Sequence, residues 1–206
     1  MKVTVFDHGA GNLHSLVKAL ELGGAFVRVE TVPALAVRDT DALILPGVGA
    51  FGPAAERMAP GRNAMRAAIA AGLPCLGICL GMQLLFDRSE EGPGAGLGVI
   101  PGDVCRMATD RVPHIGWNAI TPDGPPDTLL VRSGIAIGYY ANSFVCRPSG
   151  SPGPVVARSQ HETERFPAVV RIGNVVGTQF HPEKSSREGI RFLKAFLEDA
   201  GGAVAT

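Results

Sequence analysis

A chain of 206 residues with 46% hydrophobic and 18% charged side chains is long enough for one sizeable core and too short to require two, so a single domain over residues 1–206 is expected. Nineteen basic residues balance nineteen acidic ones, and no run of like charge offers a footprint for nucleic acid or an acidic membrane. Four cysteines without paired C-x-x-C spacing argue against zinc and leave a catalytic or a plain buried thiol, with neither metal nor cofactor expected.

The N-terminus enters an alternating apolar segment, Lys2 to Phe6, with no secretory pattern before it, so a cytoplasmic location is the default expectation. Asp7-His8-Gly9-Ala10-Gly11-Asn12 follows, and Leu13, Leu16, Val17 and Leu20 then recur at helical spacing up to Gly23-Gly24. The position a dinucleotide fingerprint reserves for its third glycine holds His14, which rules that reading out. Ala25 to Val29 reads as a second strand. Asp41 to Leu45 reads as a third, its unbroken apolar run implying burial on both faces, as in a parallel sheet. Pro46-Gly47-Val48-Gly49 then lies at the carboxyl end of a strand, where open α/β sheets bind ligands.

Ala64 to Ala71 reads as a helix ended by Gly72, and the next stretch is the most informative in the chain. Leu73 to Gln83, LPCLGICLGMQ, is an apolar strand, a cysteine flanked at two residues by Gly77 and Gly81, and an apolar helix start. This is the pattern of a nucleophile elbow with Cys79 in the serine's place. A helix N-terminus and a partner imidazole both favour the thiolate, and the amide of Leu80 supplies one half of an oxyanion hole. The second donor is expected at Gly47 or Val48. Cys75, by contrast, reads as a small buried hydrophobe.

From Leu97 onward short strands with frequent turns follow: Asp103 to Met107, Ile115 to Thr121, Ile135 to Tyr140, Val155 to Ala157, and Val169 to Ile172 with Val175 to Phe180 about the hairpin signal Gly173-Asn174. The fold class is therefore α/β, an open mixed sheet, mainly parallel in the N-terminal half with flanking helices and antiparallel in the C-terminal half. His181 stands at the end of the last strand, with Glu183 two residues on across Pro182. The imidazole can take the thiol proton and return it to a leaving amine, while the carboxylate fixes the ring's tautomer. Ser185 to Glu188 reads as a capping box, opening a final helix with Ile190, Leu193, Phe196 and Leu197 on one face.

With Cys79, His181 and Glu183 in place, the chain resembles the class I, triad-type glutamine amidotransferases over nearly its whole length. The elbow and Gln179 to Ser185 reach that superfamily, and Asp7-x-Gly9-x-Gly11-Asn12-Leu13-x-Ser15 with Pro113-His114-Ile115-Gly116-Trp117-Asn118 narrow the resemblance to the glutaminase-subunit family of imidazole glycerol phosphate synthase. The resemblance implies hydrolysis of L-glutamine and delivery of ammonia to a (β/α)₈ barrel cyclase partner, as a heterodimer, in histidine biosynthesis. It further implies that Gln83, Asn142, Ser143 and Phe144 hold the substrate and that Asn12, Trp117 and Lys184 face the cyclase. His8 replaces the family's usual tyrosine, and Asn142-Ser143-Phe144 replaces its usual His-Ser-Tyr. Two alternatives keep the elbow: a glutaminase serving another synthase partner, or a different cysteine hydrolase. A non-catalytic scaffold is a third.

Overall fold

The computed structural model describes residues 1–9, 11, 13–150 and 153–204. In the first half β1 (Lys2–Phe6), β2 (Phe26–Glu30), β3 (Ala42–Leu45) and β4 (Cys75–Ile78) alternate with α1 (His14–Leu22), α2 (Phe51–Met58), α3 (Arg62–Ala70) and the short α4 (Leu80–Gln83). The second half carries β5 (Arg88–Ser89), β6 (Gly102–Arg106), β7 (His114–Ala119), β8 (Thr121–Pro122), α5 (Thr128–Ser133), β9 (Ile137–Asn142), β10 (Phe144–Pro148), β11 (Val155–His161), β12 (Glu164–Ile172) and β13 (Val175–Thr178), before α6 (Ser186–Val204) closes the chain.

Both halves contribute to one eight-stranded sheet of order β2-β1-β3-β4-β13-β12-β11-β8. The run from β2 to β13 is parallel, and from β13 onward the pairing is antiparallel, as the patterning predicts. Alternate residues of the central strands enter opposite layers, because successive side chains of a strand point to opposite faces. Val3, Val5, Ile44, Leu76 and Ile78 pack with α1 and α6 through Leu16, Leu20, Phe192 and Phe196. Leu43, Leu45 and Cys75 face Phe51, Met58, Met65 and Ile69 of α2 and α3. Cys75 is fully buried there and its thiol is pushed up to about 12 by burial, which agrees with its reading as a small hydrophobe.

Four local differences from the sequence expectations have identifiable causes. Helix α2 begins at Phe51, inside a stretch that Gly52 and Pro53 mark as a loop. Glu91 accepts the Phe51 N–H at 2.8 Å, and Pro53 falls in the first turn, where no intrahelical N–H is needed. Helix α5 is only six residues long and is held by an Asp127 cap that accepts from the Leu129 and Leu130 amides. Strand β10, unmarked by any period, pairs antiparallel with β6. The Ser185 hydroxyl does not serve the expected capping box: it accepts from the Tyr139 N–H at 2.9 Å and donates to the His181 carbonyl at 2.6 Å. The second strand, an edge, leaves Phe26 79% exposed.

Candidate active site

Three neighbouring parallel strands, β3, β4 and β13, end side by side, and each carboxyl end carries one part of the site. Leu45 pairs with Gly77 and Thr178 with Ile78, so the chain leaves the sheet at Pro46, Cys79 and Gln179 at nearly one level. This register, and no sequence proximity, brings residues about a hundred positions apart into contact.

Cys79 turns the chain from β4 into α4 at φ +48° and ψ −105°, a region L-residues rarely occupy and one that costs on the order of 1–3 kcal/mol. The turn closes because its flanks are glycines. A Cβ on Gly81 would sit 1.9 Å from the Leu45 carbonyl oxygen, and one on Gly77 would sit 2.4 Å from that of Gly81. The cysteine amide is held by the Thr178 carbonyl at 2.6 Å, and the side chain is 5% exposed. Leu80 is the first residue of α4, so its amide has no intrahelical acceptor and is available to a ligand.

His181 is 2% exposed and its Nδ1 lies 2.8 Å from a carboxylate oxygen of Glu183. Burial opposes a charged ring, but hydrogen bonds to Cys79 and Glu183, together with their charges, outweigh it and raise the imidazole to about 10. The charged form of the ring is thus favoured beside the sulfur. The backbone is equally constrained, since the His181 amide donates to Tyr139 at 2.8 Å and its carbonyl accepts from Ser185.

These groups open on a cavity of about 250 Å³, lined by Gly47, Val48, Gly49, Cys79, Leu80, Gln83, Glu91, Asn142, Ser143, Phe144, His181 and Lys184 among others. Every residue that sequence reasoning places in the triad apart from Glu183, in the oxyanion loop and in the substrate clamp reaches this cavity. Glu183 stands behind His181, on a second cavity of about 270 Å³ across the Pro46–Val48 segment. Gln83 and Asn142 both donate to the Phe144 carbonyl, at 3.2 and 3.1 Å, and so brace the cavity wall. Asn142 Oδ1 is buried without a partner.

The profile of the family described as "Glutamine amidotransferase class-I" matches residues 4–200. The imidazole glycerol phosphate synthase subunit HisH of Halobacterium salinarum is 44% identical, over 95% of this chain and 92% of the relative. The proteins of the same name from Synechococcus sp. and Leifsonia xyli subsp. xyli are each 41% identical, over 96% and 95% of this chain and 94% and 97% of theirs. The chain belongs to the class I glutamine amidotransferases, within the HisH family. A crystal structure described as a glutamine amidotransferase superposes with a TM-score of 0.76 over 97% of this chain and 98% of that one, at 24% identity. The structure of PurLQS from Thermotoga maritima gives 0.69 over 96% and 98%, at 20% identity. These two likenesses establish the fold of the amidotransferase domain.

Trp117 and Lys184 stand together on the outer side of the site. Trp117 is 56% exposed and meets Tyr139 edge-on at 5.9 Å, while Lys184 Nζ lies 6.0 Å from the same tyrosine ring. Asn12 lies outside the described residues. His161, a superficially plausible rival base, sits at the end of β11 stacked on His114 at 4.2 Å. Two residues beside Cys79 or on its cavity are not singled out by the sequence. Glu91 falls in a stretch that reads as a polar loop. Gln179 donates through Nε2 to Cys79 Sγ at 3.5 Å, and a signal for it existed, because residues two apart in extended chain share a face and Gln179 precedes His181 by two.

Proposed function

We propose that this chain, as one domain, hydrolyses L-glutamine to L-glutamate and ammonia, with Cys79 as nucleophile, His181 as acid and base, and Glu183 orienting the imidazole. The observation that carries the proposal is the convergence of three strand ends on one cavity, which sets a strained cysteine beside a buried imidazole already paired with a carboxylate. The Cys79 thiolate attacks the amide carbon, His181 delivers its proton to the departing nitrogen, and water attacks the resulting thioester after giving a proton to the neutral ring. The Leu80 amide and an amide at Gly47 or Val48 receive the negative oxygen. Gln83, Asn142, Ser143 and Phe144 shape the substrate's end of the cavity, where Glu91 and the unpartnered Asn142 Oδ1 suit its ammonium group.

We further propose that the ammonia goes to a (β/α)₈ cyclase partner that makes imidazole glycerol phosphate in histidine biosynthesis, in the cytoplasm. The names of the HisH relatives support this, as does the exposed Trp117 with Lys184 beside the site mouth; no helix among the described residues is long and apolar enough to cross a membrane. The family resemblance implies a partner-binding role for Asn12 as well. A loop carrying Gly47 and Gly49 can turn an oxyanion donor away at little cost, so the isolated chain should hydrolyse glutamine slowly and the partner with its own ligand should switch it on. Glutaminase rates with and without that cyclase test the proposal. Undiminished turnover in the isolated chain refutes the switch, and no turnover in the complex refutes the reaction.

A further inference from the structure

The nucleophile has a neighbour that neither the triad nor the oxyanion loop uses. Gln179 is fully buried, its amide nitrogen gives its hydrogen to Cys79 Sγ at 3.5 Å, and its Oε1 is buried with no hydrogen-bond partner. Both backbones are fixed: Gln179 N–H donates to the Ala168 carbonyl at 2.9 Å, and Cys79 N–H to the Thr178 carbonyl at 2.6 Å. A glutamine serving only to fill space would carry an unsatisfied carbonyl that an apolar side chain avoids. What the amide gains in exchange is a donor aimed at sulfur, and sulfur accepts far better as a thiolate than as a thiol or thioester.

We propose that Gln179 is a further catalytic residue of the reaction proposed above, its side-chain N–H stabilising the Cys79 thiolate. The bond acts twice. It favours the thiolate before the C–S bond forms, and it meets the electron pair that returns to sulfur when the C–S bond of the acyl-enzyme breaks. His181 supplies a positive charge on one side of the sulfur, and Gln179 supplies an uncharged donor that no proton transfer during turnover removes.

A donor of this kind leaves a signature that loss of packing does not. It enlarges the thiolate fraction but makes each thiolate less basic, and nucleophilicity falls with basicity with a slope of about 0.4–0.5. Iodoacetamide alkylation of Cys79 in the whole chain, followed by peptide mapping from pH 5 to 10, separates the two effects. In Gln179→Met the profile should move about one unit toward higher pH, a roughly tenfold smaller thiolate fraction on the acid side that the more basic thiolate offsets in part, leaving alkylation there about threefold slower. The alkaline plateau should rise about threefold. Gln179→Glu should move the profile further in the same direction.

An unmoved profile, or a plateau that falls together with the acid limb, overturns the role of Gln179. Should the variants not fold, the wild type provides the test: the Gln179 side-chain amide resonances should shift with the same midpoint as the alkylation profile, and resonances that stay still overturn the proposal. Alkylation requires no glutamine, so a chain that shows the shift yet never hydrolyses glutamine refutes the glutaminase reaction and leaves the thiolate contact standing.

Discussion

The α-carbon of Gly47 faces the imidazole of His181 so closely that a Cβ added there would lie 3.0 Å from His181 Cε1, 3.0 Å from Cys79 Cβ and 2.7 Å from the Ile78 carbonyl oxygen. All three belong to buried, fixed parts of the site, so Gly47→Ala must displace the loop. The expected outcome is a loss of about a hundredfold or more in kcat/KM, the scale of one lost oxyanion donor, with the thermal midpoint nearly unchanged. Steady-state glutaminase assays in the presence of the cyclase check it, and near wild-type turnover would show that the loop contributes no donor.

Cys79 offers a comparison of strain against function. Cys79→Ala and Cys79→Gly should both abolish hydrolysis, but only glycine relieves the backbone at φ +48°. Glycine in an ordinary position is less stable than alanine by about 0.5–1 kcal/mol, so a glycine variant more stable than the alanine variant identifies stored strain of about 1–3 kcal/mol. Denaturant midpoints decide it. The opposite order would place no strain at the elbow. Cys75→Ala should retain activity, with a modest loss of stability from the buried position.

Glu183→Gln removes a negative charge 2.8 Å from His181 Nδ1. Hydrogen bonds to charged groups contribute about 1.5–3 kcal/mol, so a rate loss of roughly ten- to a hundredfold is expected, smaller than that of His181→Asn. The imidazole should also titrate below the value of about 10 that it has in the native site, as read by histidine NMR. The double variant should be no worse than His181→Asn alone, because the triad acts as a unit. His161→Asn should leave the rate untouched.

Two histidines should impose opposite slopes on stability against pH. His114 is pushed down to about 4 by burial and by the charge of His161. Its contribution is therefore complete above the unfolded value near 6.5 and is lost as pH falls from there toward 4. His181 is raised, so its contribution is complete below 6.5 and fades as pH rises through about 10. His114→Phe keeps a ring against Tyr140 and Phe166 and should flatten the acid limb alone. Urea midpoints from pH 4 to 10 would expose an error if that limb kept its slope.

Trp117→Ala should change stability by no more than about 0.5 kcal/mol, since the side chain is 56% exposed. If the ring is an anchor of the partner interface, its removal should weaken complex formation by about 2 kcal/mol or more. The basal rate should stay as it is. Titration calorimetry with the cyclase distinguishes this from a packing role, in which stability would fall and affinity would not.

Much of the site is legible in the sequence because its parts sit where apolar runs stop. Pro46, Cys79 and His181 each follow a buried strand, and a buried parallel strand announces itself by an unbroken apolar run. Glu91 is not legible because its role depends on a loop folding back to the start of α2, a tertiary event without local period. Helix α5 and strand β10 are hidden for a related reason: the first rests on a single Asp127 cap, and the second on pairing with a partner about forty residues earlier. Trp117 could be read as core or as surface from sequence, and only the β7–β9 register, which sets it against Tyr139, decides its exposure.

The Ser185 hydroxyl, engaged by the Tyr139 amide on one side and the His181 carbonyl on the other, joins the outer ribbon to the catalytic strand end. The His181 amide returns a bond to the Tyr139 carbonyl, so the three residues form a closed loop of donors and acceptors. Breaking one member exposes the others to water. In hydrogen-exchange experiments the Tyr139 and His181 amides should consequently open as one cooperative unit with a common protection factor, even though they lie far apart in the chain.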